Sequence, residues 1–345
     1  MGTLIKNLKK IGGLALVLGL LSPATWAATL INGAGATFPY PLYSKWFSQY
    51  QSVNSQVQFN YQSIGSGGGV QQITAKTVDF GASDAPMSDD DLEKVFGTVL
   101  HIPTVLGAVV VSYNAPVGND LKLTGPVVAD IFLGKITKWN DPRIAQLNPG
   151  VSLPGSDIMV VHRSDGSGTS YVFTDYLSKA SSAWKSTVGT GKAVRWPVGI
   201  GSKGNEGVTA SIKETPGSIG YVELNYAIAN NLPYATLQNK AGNLIKPSMA
   251  SVSAAAEGAL DKMPSDYRVS ITESPAPGAY PISSFTYLLV YKKQSDVVKG
   301  KALVDFLNWA MHDGQKTAPA LYYAPLPASL VQKVEGTISQ IKVGS

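Results

Sequence analysis

Four times along this chain a short apolar run ends in a cluster of small and hydroxyl residues and gives way to an amphipathic stretch. Strands that stop in glycine-rich turns and restart as helices are the unit of an α/β fold, so this alternation limits the architecture most. Val57–Tyr61 alternates as a strand should, Val78–Ala82 reads as a buried strand and Val105–Tyr113 as a central one, and Ile158–Val161 and Phe285–Tyr291 are further strands. Helices are expected over Pro39–Gln51, opened by Pro39 and Pro41, and over Gly67–Lys76, Val127–Lys135 and Tyr171–Lys179. A further one lies near Ser88–Val95, with Ser88 or Asp89 as its cap, and His162–Thr169 is the loop before Tyr171–Lys179. Leu303, Phe306, Leu307 and Ala310 fall at helical spacing with Gly314 placed to close that helix, and Leu330, Val334, Ile338 and Ile341 mark a last one.

A length of 345 residues suits about two domains. Pro103–Leu106 and the Pro- and Gly-rich stretch Ser274–Pro281 are the candidate crossings between them. A hydrophobic share of 44% against a charged share of 15% points to a packed globular chain and away from disorder. Net charge is +5, but Lys6, Lys9 and Lys10 supply three of those charges, and beyond them 25 basic residues face 23 acidic ones. A surface built for nucleic acid is therefore not implied. Cysteine is absent, which removes disulfides, thiolate metal sites and cysteine nucleophiles. The three histidines, His101, His162 and His312, have no metal-ligand spacing, so no metal or cofactor is expected.

The three early lysines precede the apolar run Ile11–Leu21, then Pro23 and the small residues Ala24–Ala28. That is the charged, apolar, cleavable pattern of a secretory signal peptide, with cleavage expected after Ala27. The run is too short for a membrane span, which needs about 20 apolar residues. Residues 1–27 are thus read as a signal peptide and the remainder as exported.

The four small-residue turns share one chemical ability. The first N–H groups of a helix have no internal partner and sit at the positive end of its dipole, so such turns hold anions. Gly33-Ala34-Gly35-Ala36-Thr37-Phe38-Pro39 offers close backbone approach and a hydroxyl; Ile64-Gly65-Ser66-Gly67-Gly68-Gly69-Val70 places Ser66 at a helix start as cap or ligand. In Asp79–Pro86, Asp84 follows an apolar strand and stands too early to cap the next helix. Arg163-Ser164-Asp165-Gly166-Ser167-Gly168-Thr169-Ser170 carries one arginine, whose planar fork suits a tetrahedral oxyanion, and an acid able to orient it. Ordinary capped turns are the alternative for these segments, and a flexible surface turn for the second. Enzyme motifs fit poorly: Lys192 after Gly189-Thr190-Gly191 lacks the remainder of a P-loop, and Gly166-Ser167-Gly168 is shorter than a hydrolase elbow. A serine nucleophile at Ser167 near His162 stays open as an alternative.

The segments GAGATFPYPLYSKW, YQSIGSGGGVQQI, VDFGASDAPMSD, IFLGKITKWNDPRI, HRSDGSGTSYVFTDYL and GSIGYVELNYA, in this order, resemble the periplasmic phosphate-binding proteins of bacterial phosphate ABC importers. The likeness runs from about Thr29 to the C-terminus, and the cysteine-free N-terminus resembles the Gram-negative form. It implies a two-lobed periplasmic binding protein fold, each lobe a mixed sheet flanked by helices, with the ligand in the cleft. Lobe 1 would comprise residues 28–104 and 277–345, and lobe 2 residues 105–276. It further implies a phosphate site in which Thr37 and Phe38 donate from the first turn, Ser66 from the second, and Ser167, Gly168 and Thr169 from the fourth. Arg163 would supply the positive charge, held by Asp165, and Asp84 would accept a proton of the phosphate; Gly67 and His162 would lie beside this set without joining it. The implied partners are inorganic phosphate and an inner-membrane ABC permease with its ATPase; the receptor itself would be a monomer, non-catalytic and periplasmic.

A carboxylate in an anion site needs a reason, and a proton on the ligand provides one. Phosphate keeps one or two protons near neutral pH, whereas sulfate keeps none. Two acceptors opposed in a desolvated site cost about 2–5 kcal/mol, roughly 30-fold to several thousand-fold in affinity. In the implied site Asp84 would thus select by repulsion as much as by attraction. A receptor of the same fold for another oxyanion, a secreted phosphoester hydrolase, and a surface protein that binds phosphate incidentally are the competing expectations.

Overall fold

The computed structural model describes residues 28–344, so the expected signal peptide lies outside the described residues. Eight strands form one sheet: β1 (Thr29–Gly35), β2 (Val57–Ser63), β3 (Phe80–Ser83), β4 (Val99–Asn114), β5 (Met159–Arg163), β6 (Ile200–Ser202), β7 (Ser218–Glu223) and β8 (Ser283–Tyr291), in the order β2-β1-β3-β8-β4-β7-β5-β6. β1 pairs in parallel with β2 and β3, and β5 in parallel with β6 and β7; β8 and β4 run antiparallel to their neighbours. The sheet is therefore mixed, with two parallel wings joined by an antiparallel centre.

The centre is the 16-residue β4, buried along almost its whole length. Its first part, to Ala108, pairs with β8, and its second part, from Val109, pairs with β7. One continuous strand thus belongs to both wings. Pro103–Leu106, read from the sequence as a crossing, lies inside this strand, and the change of partner falls a few residues later. β8 is buried at every position although it arrives late in the chain, because it fills the gap between β3 and β4.

Helices cover both wings. α1 (Tyr40–Val53) and α2 (Ser66–Thr74) lie with the first, beside α3 (Asp89–Glu93). α4 (Gly168–Ala180), α5 (Gly204–Glu214) and α6 (Leu224–Ala229) lie with the second. α7 (Val297–Trp309) and α8 (Ala328–Ile338) return to the first. Each wing has its own aromatic core: Phe47 stacks on Phe59 at 4.6 Å and both meet Phe306, while Phe173 stacks on Tyr221 at 4.3 Å beside Phe132 and Trp196. Such pairs add to the burial that holds each wing together.

Several expected boundaries move. β5 runs on to Arg163 and α4 starts at Gly168, so the connecting loop is shorter than the expected His162–Thr169 and puts Gly168 and Thr169 in a first helical turn. Gly314 does not close a helix: α7 continues through a π turn over Ala310–Gly314 and a further turn. The glycine is there for contact, since Trp46 donates its indole N–H to the Gly314 carbonyl at 2.9 Å and a Cβ would stand 3.1 Å from that ring. Ile341 falls beyond α8, which ends at Ile338. Ser88 caps α3 as expected, in a reciprocal box with Asp91.

Gly107 on β4 makes room for Phe38: a Cβ there would lie 2.5 Å from the phenyl ring. Gly107→Ala should therefore overpack this contact and lower stability by about 1–3 kcal/mol, read from denaturant unfolding with an unchanged slope.

Candidate functional site

The four turns meet where the two wings face each other. Thr37 and Phe38 follow β1 and are buried; Tyr226 Oη donates to the Thr37 carbonyl at 2.6 Å and Tyr323 Oη to that of Phe38 at 2.7 Å. Ser66 is the first residue of α2 and not its cap, which falls on Gly65, so the Ser66 hydroxyl is not used for capping and donates to Asp84 Oδ2 at 3.4 Å. Asp84 comes straight after β3; its backbone N–H donates to Ser66 Oγ at 3.2 Å, and its Oδ1 accepts from Thr286 Oγ1 of β8 at 2.8 Å.

From the other wing come β5 and α4. Arg163, the last residue of β5, is 3% exposed. Asp165 grips it through both carboxylate oxygens, at 2.8 Å from Nε and 2.6 Å from Nη2, and leaves Nη1 facing Thr169 Oγ1 at 3.3 Å. The expected pairing of these two residues is present, and it is bidentate. Asp165 also accepts from the Gly204 N–H at 3.1 Å. Ser167 caps α4, its Oγ accepting from the Ser170 N–H at 3.0 Å, and its own N–H donates to the Lys192 carbonyl at 2.8 Å. Only its hydroxyl hydrogen therefore remains for a ligand. Gly168 and Thr169 contribute first-turn N–H groups, which the helix leaves unpaired.

Gly168 joins the two sides: a Cβ on it would collide with Ser66 Oγ and with Asp84 Oδ2. The Gly67 N–H donates to the Gly166 carbonyl at 2.7 Å, so the second turn touches the fourth directly. Gly67, expected to lie beside the ligand set without joining it, makes this link between the two turns. These contacts bring the turns that carry the nine residues picked from the sequence together between the two wings. Of the nine, Asp84 lines a neighbouring cavity of about 450 Å³. There Lys192 pairs with Asp91 of α3 at 3.0 Å.

Electrostatics follow from burial. Desolvation pushes the Asp84 carboxyl up to about 7, against the opposing pull of the Thr286 hydroxyl, the Arg163 charge and the Ser66 hydroxyl. Burial also raises Asp165, but the hydrogen bonds and charge of Arg163 more than reverse this and hold it below the usual carboxylate range. His162 is pushed down by burial, bonds the Arg163 carbonyl and stacks on Trp196 at 4.9 Å. With Ser167 Oγ committed as a cap, neither residue is arranged as a base beside a nucleophile.

Three contributors escaped the sequence reading. Thr286 sits in an apolar strand whose pattern gives no hint of a polar task, and Tyr226 lies on the short helix α6. Asn205 follows Gly204 in a turn, Ser202-Lys203-Gly204-Asn205, that resembles the other four in composition; this was the signal available.

Two wings sharing a central sheet, with glycine- and hydroxyl-rich turns meeting between them, define a binding protein of the two-lobed periplasmic type. The family model of the PBP superfamily domain matches residues 22–313. The chain is 48% identical over 324 residues to the phosphate-binding protein PstS of Pasteurella multocida, covering 93% of each chain. It is 47% identical to PstS of Xylella fastidiosa, covering 88% of this chain and 84% of that one, and 40% identical to PstS of Methanocaldococcus jannaschii, covering 91% and 86%. The chain belongs to the PstS family of phosphate-binding proteins. Among solved structures, a phosphate-binding protein from Stenotrophomonas maltophilia superposes with a TM-score of 0.67 at 19% identity, covering 90% of this chain and 94% of that one. A high-affinity periplasmic phosphate-binding protein bound with phosphate superposes at 0.69 and 21% identity, covering 89% and 93%. These two likenesses establish the fold.

Asp84 makes a specific pH signature. Between about 4 and about 7 the ligand-free folded protein keeps a proton there that the unfolded chain releases, so this group lowers stability as pH rises through that window. The expected contribution is on the order of 4 kcal/mol. Asp84→Asn should remove it, so the difference in Tm between wild type and variant should widen from pH 4 to pH 7 and then level off.

Proposed function

We propose that this chain is a periplasmic receptor that binds inorganic phosphate between its lobes and delivers it to an inner-membrane ABC permease and its ATPase. The observation that carries the reading is a buried carboxyl, Asp84, which accepts from the Ser66 and Thr286 hydroxyls of the first wing and lies against Gly168 at the start of α4 in the second. The proposed ligand set is the Phe38, Gly168 and Thr169 backbone N–H groups, the Thr37, Ser66, Ser167 and Thr169 hydroxyls, and the Arg163 guanidinium. Asp84 takes the phosphate proton, and Asp165 fixes the fork of Arg163.

Lobe 1 is taken as residues 28–104 with 277–345 and lobe 2 as residues 105–276; the change of partner along β4 supports a division within that strand. The lobes rotate to enclose the ion, and the closed form is what the permease recognises. The protein acts as a monomer, carries out no reaction, and reaches the periplasm after loss of residues 1–27. No described helix is long and apolar enough to cross a membrane.

Calorimetric titration of phosphate-stripped protein near pH 7.5 tests the reading. Tight one-to-one phosphate binding with no sulfate heat is expected; equal binding of both ions would favour a general oxyanion receptor, and binding of neither would overturn the assignment. Asp84→Asn should admit sulfate, lowering the discrimination at least tenfold, because an amide offers an N–H where the carboxylate offers only lone pairs. Gly168→Ala should cost roughly tenfold or more in phosphate affinity with unchanged far-UV circular dichroism, because its methyl would push the helix start away from Ser66 and Asp84.

A further inference from the structure

Asn205 lies outside the proposed ligand set, yet it is fully buried and touches two members of it. It is the second residue of α5, just after Gly204, whose backbone at φ 73 turns the helix start toward the pocket. Its side-chain nitrogen donates to Thr37 Oγ1 at 2.8 Å and to Thr169 Oγ1 at 3.1 Å, and its backbone N–H reaches Thr37 Oγ1 at 3.2 Å. Those threonines stand on opposite wings, one after β1 and the other in the first turn of α4. The amide cannot turn over: its Oδ1 accepts the Glu223 N–H at 3.0 Å, at the end of β7, and a flipped amide would set N–H against N–H.

The donor count then decides the direction of both hydroxyls. A hydroxyl oxygen has two lone pairs and one hydrogen. Thr37 Oγ1 receives both of its bonds from Asn205, and Thr169 Oγ1 receives one from Asn205 and one from Arg163 Nη1. Both oxygens are full as acceptors, and among the described residues neither hydrogen has an acceptor.

We infer that Asn205 is a positioning residue that locks the Thr37 and Thr169 hydroxyls, one from each lobe, as donors to the bound anion. This rests on the phosphate reading above. It also fixes how the ion lies: unprotonated oxygens face the threonine pair, and the protonated oxygen faces Asp84. Because the same amide spans both lobes, closure and the setting of the donors are one event.

A mutant cycle with phosphate titration tests this. Asn205→Ala should weaken phosphate binding by roughly 10- to 100-fold. In a Thr37→Val/Thr169→Val background the same change should add less than about threefold, since the hydroxyls it orients are gone. Asn205→Asp keeps the acceptor for Glu223 but presents lone pairs to the threonines, so it should bind worse than Asn205→Ala. Thermal unfolding checks that each variant is folded. Unchanged binding by Asn205→Ala, an undiminished loss in the valine background, or wild-type affinity in Asn205→Asp would each overturn the inference. Failure of the wild-type protein to bind phosphate would instead overturn the functional reading beneath it.

Discussion

A guanidinium cannot be taken out of water alone, and that constraint organises the pocket. Arg163 is almost wholly buried, so a counter-charge must be built with it, and Asp165 two residues on supplies one through both oxygens. The pair leaves Nη1 facing inward and little net charge behind. The same acid reaches across to the Gly204 N–H and so sets the start of α5, which in turn delivers Asn205. One ion pair therefore fixes the arginine and the position of the amide that spans the lobes.

Against this nearly neutral background the remaining polar groups divide into donors and one acceptor. Hydroxyls and helix-start N–H groups are cheap to bury when they face an anion, because each gains the bond that water would have made. Asp84 is the exception, and its surroundings show how the fold tolerates it. Thr286 reaches it from a strand 202 residues further on, while burial raises its proton affinity into the range where phosphate itself titrates. In the proposed complex, phosphate and carboxyl would share a proton without either being far from its preferred state.

Local chemistry was the legible part of the sequence. Glycine and hydroxyl clusters after apolar runs announced the turns around Thr37, Ser66, Asp84 and Ser167, and Ser88 declared its own helix cap. What stayed hidden depends on register between distant strands. Thr286 acts only because β8 is inserted beside β3, and Pro103–Leu106 suggests a break that the pairing of β4 with β8 overrides. Gly314 misleads for a similar reason: its value is the close approach of Trp46, an indole far away in sequence, and not the end of a helix. Asn205 was readable as a turn residue, but its three bonds require knowing which side of α5 faces the meeting of the wings.

The shared strand also sets an order of assembly. The second wing takes its strands from one unbroken stretch, the latter part of β4 through β7, and can pair them as soon as that stretch is available. The first wing cannot: β1, β2 and β3 come early, but β8, the strand that ties them to β4, is among the last parts of the chain to be made. A ribosome or export channel releasing this polypeptide from its N-terminus therefore frees the middle wing's full strand set first. The earliest segments must wait with an unpaired sheet edge, exposed to aggregation and to proteases, until residue 291 emerges.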